Sequence, residues 1–503
     1  MADEQTSSVG SRTAIGATWL IAWRMVTRSL GLVSTLVLAR ILVPADFGLI
    51  AMATTFSAAI DSFSELGLLD ALVRRPDTGR GLYDTAFTMQ AVRGLVTGSV
   101  VAGSAGLVSR WFSEPRLLPI LLILAVLSTL SGLENIGIVE FRRSLRFSME
   151  FKLLFLPRIG QFVVTIAMAL LLRSYWALII GIAVSNSTRL AMTYVVHPYR
   201  PRFALSRWRD LVGFSFWTWA SSLSGLIWTR SDPFILGRAL GAGDLGVYLL
   251  AAEIAVLPIT ELVAPASRAL FAGFSAAQNE GTDTVSIAIP VVATMLLIVV
   301  PLALGVSAAS GYLVAILLGA KWAAAQPLIA IFAWLCIFSP FSWVCTTVLM
   351  ARGFVRQNFY AITAAAVIKA AVIYVVSLTR RMDAVAIAAV VVVAIESLLF
   401  MTQLRRCGDA RWRASAGALL RIALATGLTV VLLYASGVAW TPVSMPNGPA
   451  LLQGMAVGLF AVLAFAACQS GLWWLANRPN GPETRLIELA QGFTGRLWSR
   501  VLG

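Results

Sequence analysis

The sequence predicts an all-α integral membrane protein that crosses the bilayer many times. Of its 503 residues, 58% are hydrophobic and only 13% are charged, whereas a soluble domain has about 25% charged residues. The hydrophobic residues also form long runs, and a helix of roughly 20 apolar residues is long enough to cross the hydrocarbon core of a membrane. Runs of this length fill most of the chain and leave no room for a sizeable soluble domain.

Fourteen apolar runs are long enough to be membrane spans. Six form an expected N-terminal lobe (1–196) and six an expected C-terminal lobe (211–404), with a cytoplasmic basic linker (197–210) between them. Two additional spans follow in 405–478, and an amphipathic cytoplasmic tail occupies 479–503. The expected spans are Ala14–Leu38, Phe47–Leu69, Asp84–Leu107, Leu117–Val139, Leu153–Leu172, Tyr175–Val196, Leu211–Ser231, Leu245–Ala264, Val285–Ser307, Ala325–Leu349, Gln357–Leu378, Asp383–Leu404, Ser415–Gly437 and Leu451–Leu475.

The basic residues predict the orientation of these spans. If both termini are cytoplasmic, twenty-three Lys and Arg residues lie in cytoplasmic segments and nine lie in outer loops. Basic residues concentrate in the cytoplasmic loops of membrane proteins, so the predicted topology has an even number of spans and two cytoplasmic termini. The net charge of +15 has the same explanation. We expect no nucleic-acid binding, because no basic region is separate from the apolar runs.

The chain offers few groups for metal or covalent chemistry. Its four Cys residues form no CxxC pair and His197 is the only histidine, so a zinc site would lack ligands. We expect no metal, and no cofactor other than a possible coupling cation, H⁺ or Na⁺. Enzymatic catalysis is not expected either, because the outer loops are short and the longest of them, Ala439–Ala450, carries no charge.

A short motif occurs twice, at an offset of 198 residues. LARILVPADFGLIAMA (Leu38–Ala53) and LGRALGAGDLGVYLLA (Leu236–Ala251) are identical at six of sixteen positions. Both copies join the first and second spans of a six-span block, which predicts two parallel lobes related by a pseudo-two-fold axis along the membrane normal. The shared polar and glycine residues are Arg40, Asp46 and Gly48 in the first copy and Arg238, Asp244 and Gly246 in the second.

These motifs resemble those of Wzx-type oligosaccharide flippases, the polysaccharide transporter branch of the multidrug/oligosaccharidyl-lipid/polysaccharide (MOP) exporter superfamily. GLLDALVRRPD, after the second span, and LLGAKW are similar to that family too. The resemblance implies two six-helix lobes plus two C-terminal helices. It also implies that undecaprenyl-pyrophosphate-linked oligosaccharide repeat units cross the bacterial inner membrane by alternating access, for exopolysaccharide or O-antigen-type biosynthesis. A polysaccharide polymerase and glycosyltransferases are the partners expected with this function.

Several ionisable residues are expected inside the spans, where a charge costs at least about 2.5 kcal/mol to insert. Arg24 and Arg28 lie four residues apart on one face of the first span, and Arg93 lies near the middle of the third. Guanidinium groups bind phosphate oxygens in a bidentate way, so these three arginines are candidate ligands of the pyrophosphate. Alternatively, the first-span pair forms structural ion pairs with Asp61 and Glu65 of the second span.

Other charged residues leave alternatives open. Glu253, Lys369 and Glu396 lie centrally in later spans, where they could orient the substrate or bind a coupling cation. Such acidic residues are also compatible with a cation-coupled multidrug exporter of the same superfamily. A membrane-embedded glycan polymerase or ligase is the alternative from another class. Three further arginines are expected near cytoplasmic ends of spans, where their side chains extend to the interface; they are Arg158, Arg189 and Arg421.

Overall fold

The computed structural model is built from α-helices joined by short turns. It describes residues 27–64, 72, 79–144, 147–208, 216–263, 270, 273–274, 277–278, 280, 283–408, 412–443 and 448–488, and no β-strand occurs in these ranges. A helix satisfies all of its backbone hydrogen bonds within itself, which apolar segments need inside a bilayer. The all-α multispan membrane fold predicted from the sequence is therefore confirmed.

The first of two units covers Met1–Gly246. Within it, α3 packs along α4 and α5 packs along α6. The close approach of α3 to α4 depends on Gly94 and Gly132, because a side chain on either would overlap the backbone of the other. The helices are α1 (27–41), α2 (Pro44–Phe63), α3 (Arg80–Trp111), α4 (Leu117–Ser131), α5 (Phe147–Leu172), α6 (Trp176–Val196) and α7 (Phe216–Ala255), in which the unit boundary falls.

The second unit covers Val247–Gly503. Its first long helix, α8, lies at the centre and packs against α10, α13 and α14 around buried aliphatic side chains. Gly305 of α8 faces the backbone of Gly458 on α14, which lets these two helices approach closely. The helices are α8 (Thr284–Ala308), α9 (Ala325–Phe332), α10 (Leu335–Ala351), α11 (Val355–Ser377), α12 (Met382–Cys407), α13 (Trp412–Ser436) and α14 (Gly448–Leu475).

The predicted number of fourteen spans is not confirmed. In the described ranges nine helices are long and apolar enough to cross a membrane, or ten if α9 and α10, which are bent by 42°, form one span. The helix α4 has only 15 residues, about 22 Å, which is shorter than a hydrocarbon core of about 30 Å. The helix α7, which is broken at Gly241, covers parts of the seventh and eighth predicted spans. The first predicted span is described only from residue 27 onward.

The two copies of the repeated motif adopt the same break between helices. In the first copy α1 ends at residue 41, Val43 is extended, and α2 begins with Pro44, while the Asp46 carboxylate accepts a hydrogen bond of 3.2 Å from the Val43 N–H. In the second copy Gly241, 198 residues after Val43, interrupts α7 with a φ of 84°. Glycine tolerates this φ because it has no Cβ. Each copy therefore ends one helical segment and starts another at the same repeat position.

The two copies of the motif also pack closely against each other, with a glycine of each copy against the backbone of the other. A Cβ on Gly48 would overlap the carbonyl group of Ala242, and a Cβ on Gly246 would overlap the carbonyl group of Pro44. Pro44 and Ala242 are 198 residues apart, as are the two glycines. The crossing is therefore reciprocal, as expected for two copies related by a two-fold axis.

The segment 197–208, which falls in the predicted linker, packs along the first turns of α3; we call it the strap. The Tyr199 hydroxyl donates a hydrogen bond to Asp84, whose carboxylate also accepts one of 2.9 Å from the Arg202 N–H. The Ala204 N–H donates to the Thr88 hydroxyl at 2.9 Å. Burial and the hydrogen bond to Asp84 raise the pKa of Tyr199. The strap is therefore attached to the first unit by specific hydrogen bonds.

Candidate functional site

The structure locates part of the predicted cluster on the first two helices. Arg28 is the second described residue of α1 and is partly exposed, whereas Arg24 and Glu65 lie outside the described residues. Asp61 lies in the last turn of α2, which ends at Phe63, and not at mid-helix as expected. The pairing of these arginines with the carboxylates therefore stays a prediction.

Arg93 is grouped with two charged residues from other helices. It lies near the middle of α3, as predicted, and interacts electrostatically with Glu134, just beyond the end of α4. The same carboxylate forms a 2.9 Å ion pair with Arg189 of α6. The Gln90 side-chain amide donates to the Glu134 carbonyl at 3.3 Å and so ties this turn to α3. Two guanidinium groups thus share one carboxylate.

This arrangement leaves positive charge available within the first unit. Glu134 is 9% exposed, and one carboxylate balances only one of the two guanidinium groups. The Nε atom of Arg93 is buried and has no hydrogen-bond acceptor among the described residues. Charge-assisted hydrogen bonds to an anion such as phosphate are stronger than bonds to neutral acceptors. The cluster of Arg93, Glu134 and Arg189 is therefore suited to binding an anion.

Arg189 and Arg421, which were expected to extend to the interface, each have a carboxylate partner. Arg189 is paired with Glu134, as described above, and Arg421 on α13 forms a 2.8 Å ion pair with Glu483. The amide of Gln469 on α14 donates to the same carboxylate at 3.0 Å. The extension of these arginines to the interface stays a prediction. Glu483 belongs to the predicted tail, whose residues from 489 onward lie outside the described ranges.

Lys369 and Glu396 are brought together in the second unit. They lie on the adjacent helices α11 and α12, each is 9% exposed, and their charges attract each other. The Ser342 hydroxyl of α10 donates to the Glu396 carboxylate at 3.3 Å. These opposite charges compensate each other within the bundle. Glu253, by contrast, is half-buried and lies two residues before the end of α7.

The sequence offered a weak signal for Glu134, which was not predicted as a site residue. It follows Ser131-Gly-Leu at the end of an apolar run that was expected to continue to Val139. A lone carboxylate in such a run, in a chain with arginines inside other spans, indicates an ion pair between helices. No group of three or more His, Cys, Asp or Glu residues in the described part of the chain is arranged to hold a metal ion.

Sequence comparison relates the chain to proteins of polysaccharide biosynthesis. A family model described as "Polysaccharide biosynthesis protein" matches residues 37–327. The lipopolysaccharide biosynthesis protein WzxC of Escherichia coli (strain K12) is 25% identical over 360 residues, which are 70% of this chain and 72% of that protein. The succinoglycan biosynthesis transport protein ExoT of Rhizobium meliloti (strain 1021) is 24% identical over 331 residues, 65% of this chain and 67% of that protein.

Solved structures share the fold. The lipid II flippase MurJ in an inward closed conformation has a TM-score of 0.71 at 14% identity, covering 90% of this chain and 98% of its own. An inward-facing multidrug resistance MATE family transporter of the MOP superfamily has a TM-score of 0.56 at 13% identity, covering 78% of this chain and 97% of its own. Because both identities are low, these likenesses concern the fold alone, which is that of membrane transporters.

Proposed function

Because the chain belongs to the polysaccharide biosynthesis protein family, we propose that it moves undecaprenyl-pyrophosphate-linked oligosaccharide repeat units across the bacterial inner membrane by alternating access. The family membership carries this proposal. The relatives named above act in lipopolysaccharide and succinoglycan biosynthesis, and one of them is a transport protein by name. The product of the reaction is the same lipid-linked glycan in the outer leaflet, so no covalent bond is made or broken.

The arginines inside the helices of the first unit are the proposed ligands of the pyrophosphate. A pyrophosphate group cannot enter a low-dielectric environment without counter-charge, because the desolvation cost is several kcal/mol per ion. Arg24 of the first predicted span, Arg28 on α1 and Arg93 on α3 supply guanidinium groups, which match phosphate oxygens in a bidentate geometry. Arg189 lies beside Arg93 across Glu134 and extends the positive region toward the end of α6.

The acidic residues have a secondary role in this proposal. Asp61 and Glu65 orient the first-helix arginines, and either of these or Glu253 binds a coupling H⁺ or Na⁺. Glu396 and Lys369 hold α11 and α12 together, because their charges compensate each other. Both termini are cytoplasmic in this topology. Glycosyltransferases that build the repeat unit and a polymerase that consumes it are the proposed partners.

Deleting the gene from its host and restoring it with variants tests this function. We expect the deletion strain to accumulate lipid-linked repeat units on the inner leaflet and to export no polysaccharide. The wild-type gene should restore export, whereas Arg93→Ala should restore little although the protein is present in the membrane. Arg110→Ala, which removes an exposed arginine at the end of the same helix, is the matched control and should restore export fully. Normal export by the deletion strain, with unchanged lipid-linked intermediates, would contradict the proposal.

A further inference from the structure

A cavity of about 280 Å³ lies inside the first unit, between α1, α2, α5 and α6. None of the predicted site residues that the structure describes lines it. Its apolar lining includes Phe47 of α2 and Phe162 of α5. The described polar lining comes from two helices: Thr27, Ser34 and Thr35 on α1, and Arg158, Gln161 and Thr165 on α5.

The polar residues recur at helical spacing. On α5, Arg158, Gln161 and Thr165 follow the i, i+3, i+7 pattern, which places them on one face. On α1, Thr27 and Ser34 are two turns apart and share a face in the same way. A polar stripe on a membrane helix is unfavourable against lipid, so it normally faces a partner, water or a ligand. Both stripes line the same cavity.

Among the described residues that line this cavity, Arg158 is the only charged one. It lies eleven residues after the first residue of α5 and five residues after the start of the predicted span, and its extension to the interface stays a prediction. It donates a hydrogen bond of 3.3 Å to the Gln161 side chain, and no carboxylate of a described residue lies within 4.0 Å of its guanidinium group. A bound anion would supply the missing counter-charge.

Thr165 forms part of the cavity wall beside α6. It is 3% exposed, and its hydroxyl is buried without a hydrogen-bond partner in the described part of the protein. Gly181 on α6 leaves room for this hydroxyl, because a side chain there would overlap it. Thr165 therefore shapes the wall, and the polar groups left to bind a ligand are those of the other polar lining residues.

The size and lining of the cavity limit what it can hold. At ~30 Å³ per water molecule it has room for roughly nine waters, which is comparable to one sugar ring and larger than a phosphate ion. Hydroxyl and amide side chains can both donate to and accept from sugar hydroxyls, and the two phenylalanine rings offer apolar surface to the C–H face of a sugar. Leu38, which lines the cavity, also packs in a buried cluster with Leu42 and Ala177.

We propose that this cavity binds one acidic sugar residue of the lipid-linked glycan. Arg158 pairs with the carboxylate or phosphate of that sugar, and the hydroxyl and amide groups of α1 and α5 bind its ring hydroxyls. The proposal rests on the proposed function and deepens it. Glycan recognition in this cavity is separate from the pyrophosphate ligands on α1 and α3, so the protein would distinguish acidic from neutral repeat units.

Gly31 provides a way to fill the cavity without removing a polar group. It lines the cavity, and a Cβ added to it would meet no atom within 4 Å. Gly31→Leu should therefore occupy the ligand space while favouring the helix, because leucine has a higher helix propensity than glycine. Gly103→Leu is the matched control, since Gly103 lies on α3 in equally open surroundings and outside the cavity.

Binding of glucuronate, glucose and inorganic phosphate to the purified full-length protein is the direct test, by calorimetry. We expect glucuronate to bind the wild type and Gly103→Leu, and glucose to bind more weakly. Gly31→Leu should not bind, and Arg158→Gln should bind at least about tenfold more weakly. Equal glucuronate binding by Gly31→Leu and wild type, or tighter binding of phosphate than of glucuronate, would overturn the assignment.

Flipping assays separate this proposal from the proposed function. In vesicles, Gly103→Leu should move an acidic lipid-linked repeat unit as the wild type does, whereas Gly31→Leu and Arg158→Gln should move it at least about tenfold more slowly. Movement of the acidic repeat unit at the wild-type rate by both of these cavity variants rejects the sugar site alone. A wild-type protein that moves no lipid-linked oligosaccharide rejects the proposed function, whatever sugar it binds.

Discussion

At the scale of single residues, buried charges in this protein are arranged with their counter-charges from neighbouring helices. Glu396 and Lys369 illustrate this, because both are almost completely buried and their charges attract each other. Glu134 likewise attracts two arginines from other helices, Arg189 and Arg93. Replacing one member of a buried pair leaves the other charge uncompensated, which costs more than replacing both.

Glu396→Gln tests the pair in the second unit. We expect it to lower the free energy of unfolding by about 3 kcal/mol, because the Lys369 ammonium loses the opposite charge of that pair. Lys369→Met combined with Glu396→Gln should recover most of this loss. The measurement is unfolding of the purified protein in detergent, and Asp383→Asn, which alters an exposed ion pair with Arg381, is the control with little effect. A double variant as unstable as Glu396→Gln alone would contradict the pairing.

At the scale of helices and connections, the sequence predicted some features well and others poorly. The repeated motif was recognisable because both of its copies are local in sequence, and each contains the glycine of the crossing. The strap was expected only as a basic linker, because its hydrogen bonds join Tyr199 and Arg202 to Asp84 more than 110 residues away. The ion pair of Arg189 with Glu134 was missed for the same reason, since spacing along one helix does not reveal contacts between helices.

Gly246→Ala tests the crossing of the two motifs. Its Cβ would overlap the Pro44 carbonyl group, which belongs to the backbone and cannot move aside as a flexible side chain can. We expect a loss of about 1–3 kcal/mol in unfolding free energy, as is typical of overpacked sites. Gly243→Ala is the matched control, because a Cβ at Gly243 meets no atom within 4 Å and alanine favours the helix. Equal stability of the two variants would show that the close approach is not required.

At the scale of the whole molecule, composition predicts that the protein is an α-helical membrane protein. Composition does not predict how many spans it has. Long apolar runs predict helices because a bilayer offers no other partner for the backbone. The run expected to continue from Leu117 to Val139 instead ends its helix at Ser131. Run length alone did not locate this end, because Gly132, which follows Ser131, packs closely on Gly94 of α3.

The orientation of the chain is a separate prediction of the charge distribution. A reporter enzyme that is active only in the periplasm, fused after Gly503, should remain inactive, because the basic residues place this end in the cytoplasm. The same reporter fused after Ser174, in the turn between α5 and α6, should be active. The measurement is reporter activity in intact cells, normalised to the amount of fusion protein. Strong activity of the C-terminal fusion would reject the predicted topology.

The central claim is that the protein itself moves a lipid-linked oligosaccharide and uses arginines to carry its pyrophosphate. The most direct measurement is the transfer of undecaprenyl-pyrophosphate-linked repeat units between the leaflets of vesicles that contain only the purified protein. We expect transfer by the wild type, and about tenfold slower transfer by Arg28→Lys, because lysine keeps the charge but loses the bidentate donor geometry. Arg110→Lys at the exposed end of α3 should transfer as the wild type does. Absence of transfer by well-folded wild-type protein, or full transfer by Arg24→Ala/Arg28→Ala, would contradict the claim.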